Sequence, residues 1–176
     1  MMARTTLIVL ISCLRLLAQS HQVSVAGGFN YQNSDQGRGV RVNLNGWFAS
    51  AQFDLNNTVS IGIEADNYYG SLGGVGMTQQ NFVIGPQFTF GGDQAKLRPF
   101  IYAQAGDQRS ASSGSVDHAF NLQIGGGVQV KLSQRISLQI TPAEYTLATP
   151  DHLFTHSYSA KVGISWTVWQ PSRTFK

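Results

Sequence analysis

The last long segment of the chain alternates strictly between two kinds of residue. One register is apolar and holds Tyr158, Ala160, Val162, Ile164, Trp166 and Val168, whereas the other holds Ser157, Ser159, Lys161, Gly163, Ser165 and Thr167. Successive side chains of a β-strand point to opposite faces, so this period of two predicts a strand with one apolar and one polar face. A water-soluble barrel would turn the apolar face inward, whereas a membrane barrel turns it outward to lipid.

Composition favours a membrane barrel over the other membrane architectures. Charged residues make up only 12% of the chain, about half of what a soluble domain usually carries. The mean hydropathy is nevertheless −0.09, and no apolar run reaches the roughly 18 residues that a transmembrane helix needs. A transmembrane β-barrel spreads its hydrophobicity over alternating residues, so low charge without long apolar runs fits this class.

The N-terminus has the features of an export signal. Arg4 supplies a basic start, residues 7–14 an apolar core, and Ala18-Gln19-Ser20 a small-x-small cleavage site. This pattern predicts a signal peptide over residues 1–20 and a mature chain that begins at His21. The alternative is that Leu10-Ile11-Ser12-Cys13 acts as a lipobox with Cys13 as the lipidated residue. Both interpretations predict an exported protein.

Loss of the signal peptide would change the chemistry of the mature chain. Cys13 is the single cysteine, so the mature chain would have no thiol, disulfide or cysteine-based metal site. Without Arg4 and Arg15, ten basic residues face nine acidic ones, and no Lys/Arg run suggests nucleic acid as a partner. No phosphate-binding loop or metal-ligand cluster is recognisable, so we expect no cofactor and no metal.

Seven further strand-like segments precede the final strand, at residues 22–32, 40–55, 58–69, 78–90, 98–106, 118–132 and 136–147. A change of apolar register in the second segment predicts a bulge near Asn45-Gly46. Pro142 predicts a second bulge in the seventh segment, because proline cannot donate a ladder hydrogen bond. The pattern predicts an all-β fold, an eight-stranded antiparallel up-and-down transmembrane barrel over residues 21–169, with a short C-terminal extension over residues 170–176.

The connections between the strands indicate how the barrel is oriented. Every second connection is a turn, at residues 56–57, 91–97 and 133–135. The others are mostly longer and polar, at residues 33–39, 70–77, 107–117 and 148–153. Short turns on one rim and longer loops on the other are typical of periplasmic and cell-surface ends, and the four loops are the expected contacts for a surface ligand.

The charged residues indicate which face meets lipid. In the best-patterned strands the apolar register carries no charge, while Glu64, Asp66, Lys131 and Lys161 occupy the polar register. A lysine on the lipid face at the bilayer midplane would cost about 2–4 kcal/mol, so this separation favours an apolar face turned outward. The alternative is a soluble exported barrel that binds a small apolar ligand inside, with an exterior of small polar residues that would be poorly solvated.

Aromatic residues gather near the predicted strand ends. Toward the loop rim lie Tyr31, Tyr68, Tyr69, Phe120, Tyr145 and Tyr158, and toward the turn rim lie Phe53, Phe88, Phe90, Trp166 and Trp169. Two aromatic girdles at the membrane interfaces are typical of membrane barrels.

The segment from Lys161 to Val168 carries a recognisable motif. Its pattern of polar-x-Gly-x-x-aromatic-x-apolar, with Lys161, Gly163, Trp166 and Val168 at the defining positions, resembles the final-strand assembly signal of the OmpA/OmpX-like outer-membrane β-barrel family. The likeness to this family extends from His21 to about Trp169. It implies a location in the bacterial outer membrane, contact with outer-membrane lipid and lipopolysaccharide, and recognition by the outer-membrane assembly machinery. Family members often end at an aromatic residue that closes the last strand, whereas this chain continues beyond Trp169.

The polar register also predicts a site inside the barrel. The interior of an eight-stranded barrel is just wide enough for side chains. We expect an ion-pair network in the lumen, with Glu64, Asp66 and Glu144 as the acids and Arg98, Lys131 and Lys161 as the bases. The expected role is therefore structural or surface-interacting, adhesin-like and without a wide pore. A gated path for protons or ions is the alternative.

Candidate catalytic residues cluster near the loop rim: His118, His152 and His156, with Asp117, Asp151 and Ser157 nearby. The outer-membrane lipid A deacylase family uses a His-x-Ser arrangement on a similar barrel. Here His156 and Ser157 are adjacent and would face opposite sides of a strand, which argues against a shared site. We expect no enzymatic activity, and a lipid-modifying enzyme is the less favoured alternative.

Overall fold

A computed structural model describes residues 22–37, 39–92, 95–112, 115–150 and 154–170. The predicted signal peptide, Cys13 and all of the predicted C-terminal extension except Gln170 lie outside the described residues. No helix in the described ranges is long and apolar enough to cross a membrane.

Eight β-strands follow one another along the chain. They are β1 (Gln22–Asp35), β2 (Arg41–Asp54), β3 (Val59–Leu72), β4 (Val75–Thr89), β5 (Leu97–Ser112), β6 (Ser115–Lys131), β7 (Ile136–Ala148) and β8 (Thr155–Trp169). Each strand pairs with the next, and β1 pairs antiparallel with β8, which closes the barrel. The predicted fold is confirmed.

The two registers of β8 face opposite sides of the barrel wall. Tyr158, Val162, Ile164, Trp166 and Val168 are 43–56% exposed on the outside. Ser157, Ser159, Lys161 and Ser165 are buried on the inside. The alternative of a soluble barrel with an apolar interior is therefore wrong.

The outward apolar residues form a belt around the barrel. In β8 this belt runs from Tyr158 to Val168, which is roughly 33 Å along the strand at ~3.3 Å per residue, or about 23 Å in height at a strand tilt near 45°. That height matches the apolar band of an outer-membrane barrel, about 25 Å tall.

One of the two predicted bulges is present. The pairing of β7 with β8 shifts between Thr141 and Glu144, so Pro142 and Ala143 both lie exposed and Glu144 returns to the inside. The bulge predicted near Asn45-Gly46 is wrong, because β2 pairs with β1 and β3 without a shift there. Instead, Val42, Leu44 and Phe48 all point into the lumen, so an apolar side chain in β2 does not mark the lipid face.

Two of the four predicted loops, 70–77 and 107–117, are mostly strand. The predicted loop 70–77 shrinks to Gly73 and Gly74 between β3 and β4, and both glycines have positive φ, 57° and 85°. Most of the predicted loop 107–117 belongs to β5 and β6, which pair as far as Ser112 and Ser115. The loop rim thus differs from the turn rim in strand extensions that rise beyond the apolar belt, rather than in loop length.

Candidate functional site

The centre of the lumen holds Lys161 among three carboxylates. Its Nζ lies 2.5 Å from Glu64 Oε1, 3.0 Å from Asp66 Oδ1 and 2.8 Å from Glu144 Oε2. All four side chains are at most 8% exposed. Glu64 and Asp66 come from the inward register of β3, Glu144 from β7 after the bulge, and Lys161 from β8. We call these four residues the Lys161 cluster.

Neutral side chains donate further hydrogen bonds to two of the carboxylates. Asp66 accepts hydrogen bonds from Asn30 Nδ2 at 3.1 Å and Gln123 Nε2 at 3.2 Å. Glu144 accepts a hydrogen bond from Ser159 Oγ at 2.7 Å and a further one from the Tyr102 hydroxyl. The cluster and its donors therefore join β1, β3, β5, β6, β7 and β8 across the lumen.

The charges in the Lys161 cluster are unequal. One ammonium faces three carboxylates, so the fully ionised cluster carries two more negative charges than positive ones. Buried charges are tolerated only with close partners and hydrogen bonds. Lys161 is thus the common partner of all three acids, and its removal would affect each of them.

The structure brings four of the six predicted network residues together. Arg98 and Lys131 occupy the inward register, but they lie near the turn ends of β5 and β6, away from the level of Lys161. Sequence reasoning missed Asn30, Tyr102, Gln123 and Ser159, which share that register with the acids and supply donors. The signal in the sequence that identifies them is the recurrence of amide and hydroxyl residues at every second position.

Apolar and aromatic side chains also fill the lumen. Val42, Leu44 and Tyr68 form a buried cluster toward the loop rim, and Phe48 and Phe100 are 2% and 1% exposed. The prediction that Tyr68 belongs to the outer girdle is wrong, since it is 0% exposed. The physical reason is the period of two: Tyr68 continues the inward register of Glu64 and Asp66, so it cannot face lipid beside Tyr69.

Two glycines leave room for aromatic side chains in the lumen. A Cβ on Gly163 would come within 2.7 Å of Phe48 Cζ and 2.5 Å of Gly27 O. A Cβ on Gly125 would come within 2.6 Å of the Tyr102 ring. Gly163, one of the four assembly-signal positions, therefore has a packing role in the structure.

The lumen on the turn side of Glu64 is narrow and polar. A cavity of about 20 Å³ lies there, and its lining includes Gln52, Gln87, Gln104 and Gln139. Gln87 Nε2 donates to Gln52 Oε1 at 3.2 Å, and Gln52 Nε2 donates to Ser60 Oγ at 2.8 Å. On the loop side, Gln79 Nε2 donates to Gln32 Oε1 at 3.0 Å.

The other predicted girdle residues and the rest of the assembly motif lie as follows. Exposed on the outside are Tyr31, Tyr69, Phe88, Phe90, Phe120, Tyr158, Trp166 and Trp169, and Phe53 and Tyr145 are partly buried. Within the motif, Lys161 and Gly163 point inward while Trp166 and Val168 point outward.

The candidate catalytic residues do not form a common site. His156 is exposed, and its Nδ1 lies 2.5 Å from the Tyr145 hydroxyl, whereas Ser157 is 5% exposed on the inner face. His118 Nδ1 lies 2.9 Å from Asp107 Oδ2 on the outside, and Asp117 is exposed. Asp151 and His152 lie outside the described residues.

A closed eight-stranded antiparallel barrel with an apolar exterior and a lumen filled by side chains defines a class, the small outer-membrane β-barrel. The solved structures with this fold include Neisserial surface protein A, which has 12% sequence identity and a TM-score of 0.72 over 82% of this chain and 96% of that one. OprG from Pseudomonas aeruginosa has 12% identity and a TM-score of 0.62 over 87% and 99% of the two chains. Ail, the attachment invasion locus protein of Yersinia pestis, solved with the heparin analogue sucrose octasulfate, has 13% identity and a TM-score of 0.56 over 83% and 97%.

No protein-family model matches the sequence, and no curated protein matches it. The likeness to the solved structures is therefore one of fold. It confirms the predicted resemblance to small outer-membrane barrels at that level, and it agrees with the predicted location in the bacterial outer membrane.

Proposed function

We propose that this chain is a non-conducting outer-membrane β-barrel with a structural or surface-interaction role. The observation that carries the proposal is the occupied lumen. The Lys161 cluster crosses its centre, and Val42, Leu44 and Tyr68 fill it toward the loop rim. The interior of an eight-stranded barrel is just wide enough for side chains to fill, and this supports a lumen that is closed to hydrated ions.

The surface-interaction role rests on the polar strand ends beyond the belt. In β4, β5 and β6 most outward positions from Asp107 toward the loop rim are polar, including Gln80, Arg109 and His118, with Val116 as an exposed apolar exception. Ail, a barrel of the same fold, was solved with a heparin analogue, which supports a polar ligand for such a barrel. We propose that the segments 33–39, 70–77, 107–117 and 148–153 present this rim to the surroundings of the cell.

Conductance measurements test the closed lumen directly. The purified barrel, reconstituted into planar lipid bilayers, should show no unitary currents at moderate voltage in 1 M salt, a test concentration roughly seven times physiological ionic strength. A wide-pore outer-membrane porin in the same bilayers is the positive control. Reproducible unitary steps from the folded barrel would overturn the non-conducting proposal.

Three further properties belong to the same proposal. Residues 1–20 direct export, the outer-membrane assembly machinery recognises Lys161, Gly163, Trp166 and Val168, and the barrel has no enzymatic activity. Trp166 is 53% exposed on the outer face, so Trp166→Ser should slow assembly into vesicles that contain the machinery and leave spontaneous refolding in detergent unchanged. Equal slowing in both assays would show a folding defect instead.

The lipid A of expressing cells should have the same mass with and without His156→Ala.

A further inference from the structure

Arg41 at the start of β2 is held in one orientation across the seam between β1 and β8. Its Nε donates to Asn33 Oδ1, and its Nη2 donates to Asn33 O at 3.0 Å and to His156 O at 3.1 Å. Fixing a long side chain by three hydrogen bonds removes much of its rotamer freedom before any ligand arrives. These bonds use Nε and Nη2, and among the described residues Nη1 has no hydrogen-bond acceptor.

A row of aromatic rings continues from this guanidinium. Arg41 Cζ lies 5.5 Å from the centroid of the Tyr158 ring. The Tyr145 ring lies 5.7 Å from Tyr158 and 5.9 Å from His156. Tyr158 is 56% exposed, so the row offers flat apolar faces next to hydroxyl and imidazole groups. Aromatic rings of this kind are enriched where one side of a contact is apolar and the other is wet.

The position of the aromatic row relative to the apolar belt determines which ligands it can contact. Tyr158 is the first residue of the apolar belt in β8, and the outward positions of β1 and β2 beyond Tyr31 are polar, with Asn33 and Arg41. The row therefore lies where the hydrocarbon ends and lipid headgroups begin. A ligand at this level on the outer wall is a headgroup of the surrounding leaflet.

We propose that Arg41, Tyr145, His156 and Tyr158, here named the rim site, bind the phosphorylated sugar headgroup of an outer-leaflet glycolipid. A guanidinium is the side chain best matched to a phosphate group, and the tyrosine faces suit the apolar side of a sugar ring. The inference rests on the proposed orientation, in which the Arg41 rim faces the cell surface.

One acidic group limits the affinity of the rim site. The Asp35 carboxylate lies at the same seam, where it accepts hydrogen bonds from Gly37 N at 2.8 Å and His156 N at 3.2 Å. It is engaged with backbone, but its charge still opposes an anion nearby. Asp35→Asn should therefore leave phosphorylated lipid binding unchanged or make it tighter.

Titration of the folded barrel in zwitterionic micelles with lipid A tests the proposal. Bisphosphorylated lipid A should bind more tightly than chemically dephosphorylated lipid A. Arg41→Gln should weaken binding of the phosphorylated form about tenfold, as expected for one charge-assisted contact, and should remove the preference for phosphate. Arg41→Lys keeps the charge without the planar fork of the guanidinium, so its affinity for the phosphorylated form should lie between those of the native chain and Arg41→Gln.

Arg135 provides the matched control. It is an exposed arginine on the opposite rim, so Arg135→Gln removes the same charge and should leave lipid A binding as in the native chain. Equal affinities for the native chain and Arg41→Gln would overturn the proposal, as would equal binding of the two lipid forms by the native chain. A heat-dependent gel shift for each variant separates loss of binding from loss of folding. Because the bilayer recordings measure conduction alone, failure of the rim site is distinguishable from failure of the proposed function.

Discussion

Among single residues, Lys161 has the largest expected effect on stability. It is the described partner of Glu64, Asp66 and Glu144 in the lumen. Removing one partner of a buried ion pair leaves an uncompensated charge and typically costs about 3–5 kcal/mol. We expect Lys161→Met to lower the free energy of unfolding by at least that amount, measured by urea titration of the barrel refolded in vesicles.

The unequal charge of the cluster suggests a second variant, which removes an acid instead of the base. Glu64→Gln removes one of three acids around a single ammonium, so the like-charge repulsion falls and Lys161 keeps Asp66 and Glu144. The loss of stability should therefore be smaller than for Lys161→Met. Lys96→Met, at an exposed turn position, is the control for removal of a lysine. If Lys161→Met is as stable as Lys96→Met, the cluster does not stabilise the barrel.

At the loop rim, Asp35 gives a prediction about pH. Burial by itself would raise the pKa of Asp35, but hydrogen bonds from Gly37 and His156 and the charge of Arg41 outweigh it and hold the pKa below its ordinary value of 3.8. Since the folded pKa is the lower one, the ionised carboxylate contributes stability above the unfolded pKa, and this contribution is lost as the pH falls through the folded pKa. An NMR titration should find the Asp35 pKa below 3.8, and Arg41→Gln should raise it. An unchanged value in that variant would contradict the role of the guanidinium.

At the scale of the strands, β8 and the bulge in β7 were predictable from the sequence because each pattern there has a single structural explanation. An unbroken period of two leaves one register for each face, and Pro142 must interrupt the ladder. In β2 the same reasoning failed, because Val42, Leu44 and Phe48 are apolar and yet point inward. Hydrophobicity separates lipid from water, but not lipid from a lumen packed with side chains.

Close packing in the lumen depends on glycines in the facing strands. Gly163 lies in the inward register of β8, where an added Cβ would meet Phe48 Cζ at 2.7 Å and Gly27 O at 2.5 Å. Gly163→Ala should therefore destabilise the barrel by about 1–3 kcal/mol, the usual cost of overpacking. The measurement is the urea midpoint of the refolded barrel.

Gly76 in β4 is the matched control for this substitution, because a Cβ there would meet nothing within 4 Å. Gly76→Ala should leave the midpoint unchanged or raise it slightly, since alanine restricts the unfolded chain more than glycine does. Equal midpoints for the two variants would show that Phe48 and Gly27 move aside without cost. In that case Gly163 would be retained for a reason other than packing.

For the whole molecule, the alternation of eight segments was enough to predict a closed barrel and the direction of its apolar face. The arrangement across the lumen was not predictable from it, because the pairing of Lys161 with Glu64, Asp66 and Glu144 depends on strands that are distant in sequence. The shape of the loop rim was also not predictable from the sequence. Polar residues that look like loop, such as those from Asp107 to Ser112, continue the ladder between β5 and β6.

The orientation of the barrel in the membrane leads to the last prediction. If the strand extensions of β3–β6 face the outside, a cysteine at the exposed position Asp117 in β6 should react with a membrane-impermeant maleimide on intact cells. A cysteine at the exposed position Gln134, in the turn between β6 and β7, should react only after the outer membrane is permeabilised. The reason is that the apolar belt, about 23 Å tall, separates the two rims and a charged reagent cannot cross it.

The native chain is the background control for this labelling, since its single cysteine is Cys13 within the predicted signal peptide. Both cysteine variants should label equally in detergent, which shows that neither position is blocked by the fold. Labelling of Gln134→Cys but not Asp117→Cys on intact cells would mean the reverse orientation. It would also move the rim site to the inner leaflet, where no outer-leaflet glycolipid could reach Arg41. Orientation and ligand are thus linked, and this experiment determines whether the rim site faces the leaflet that its chemistry requires.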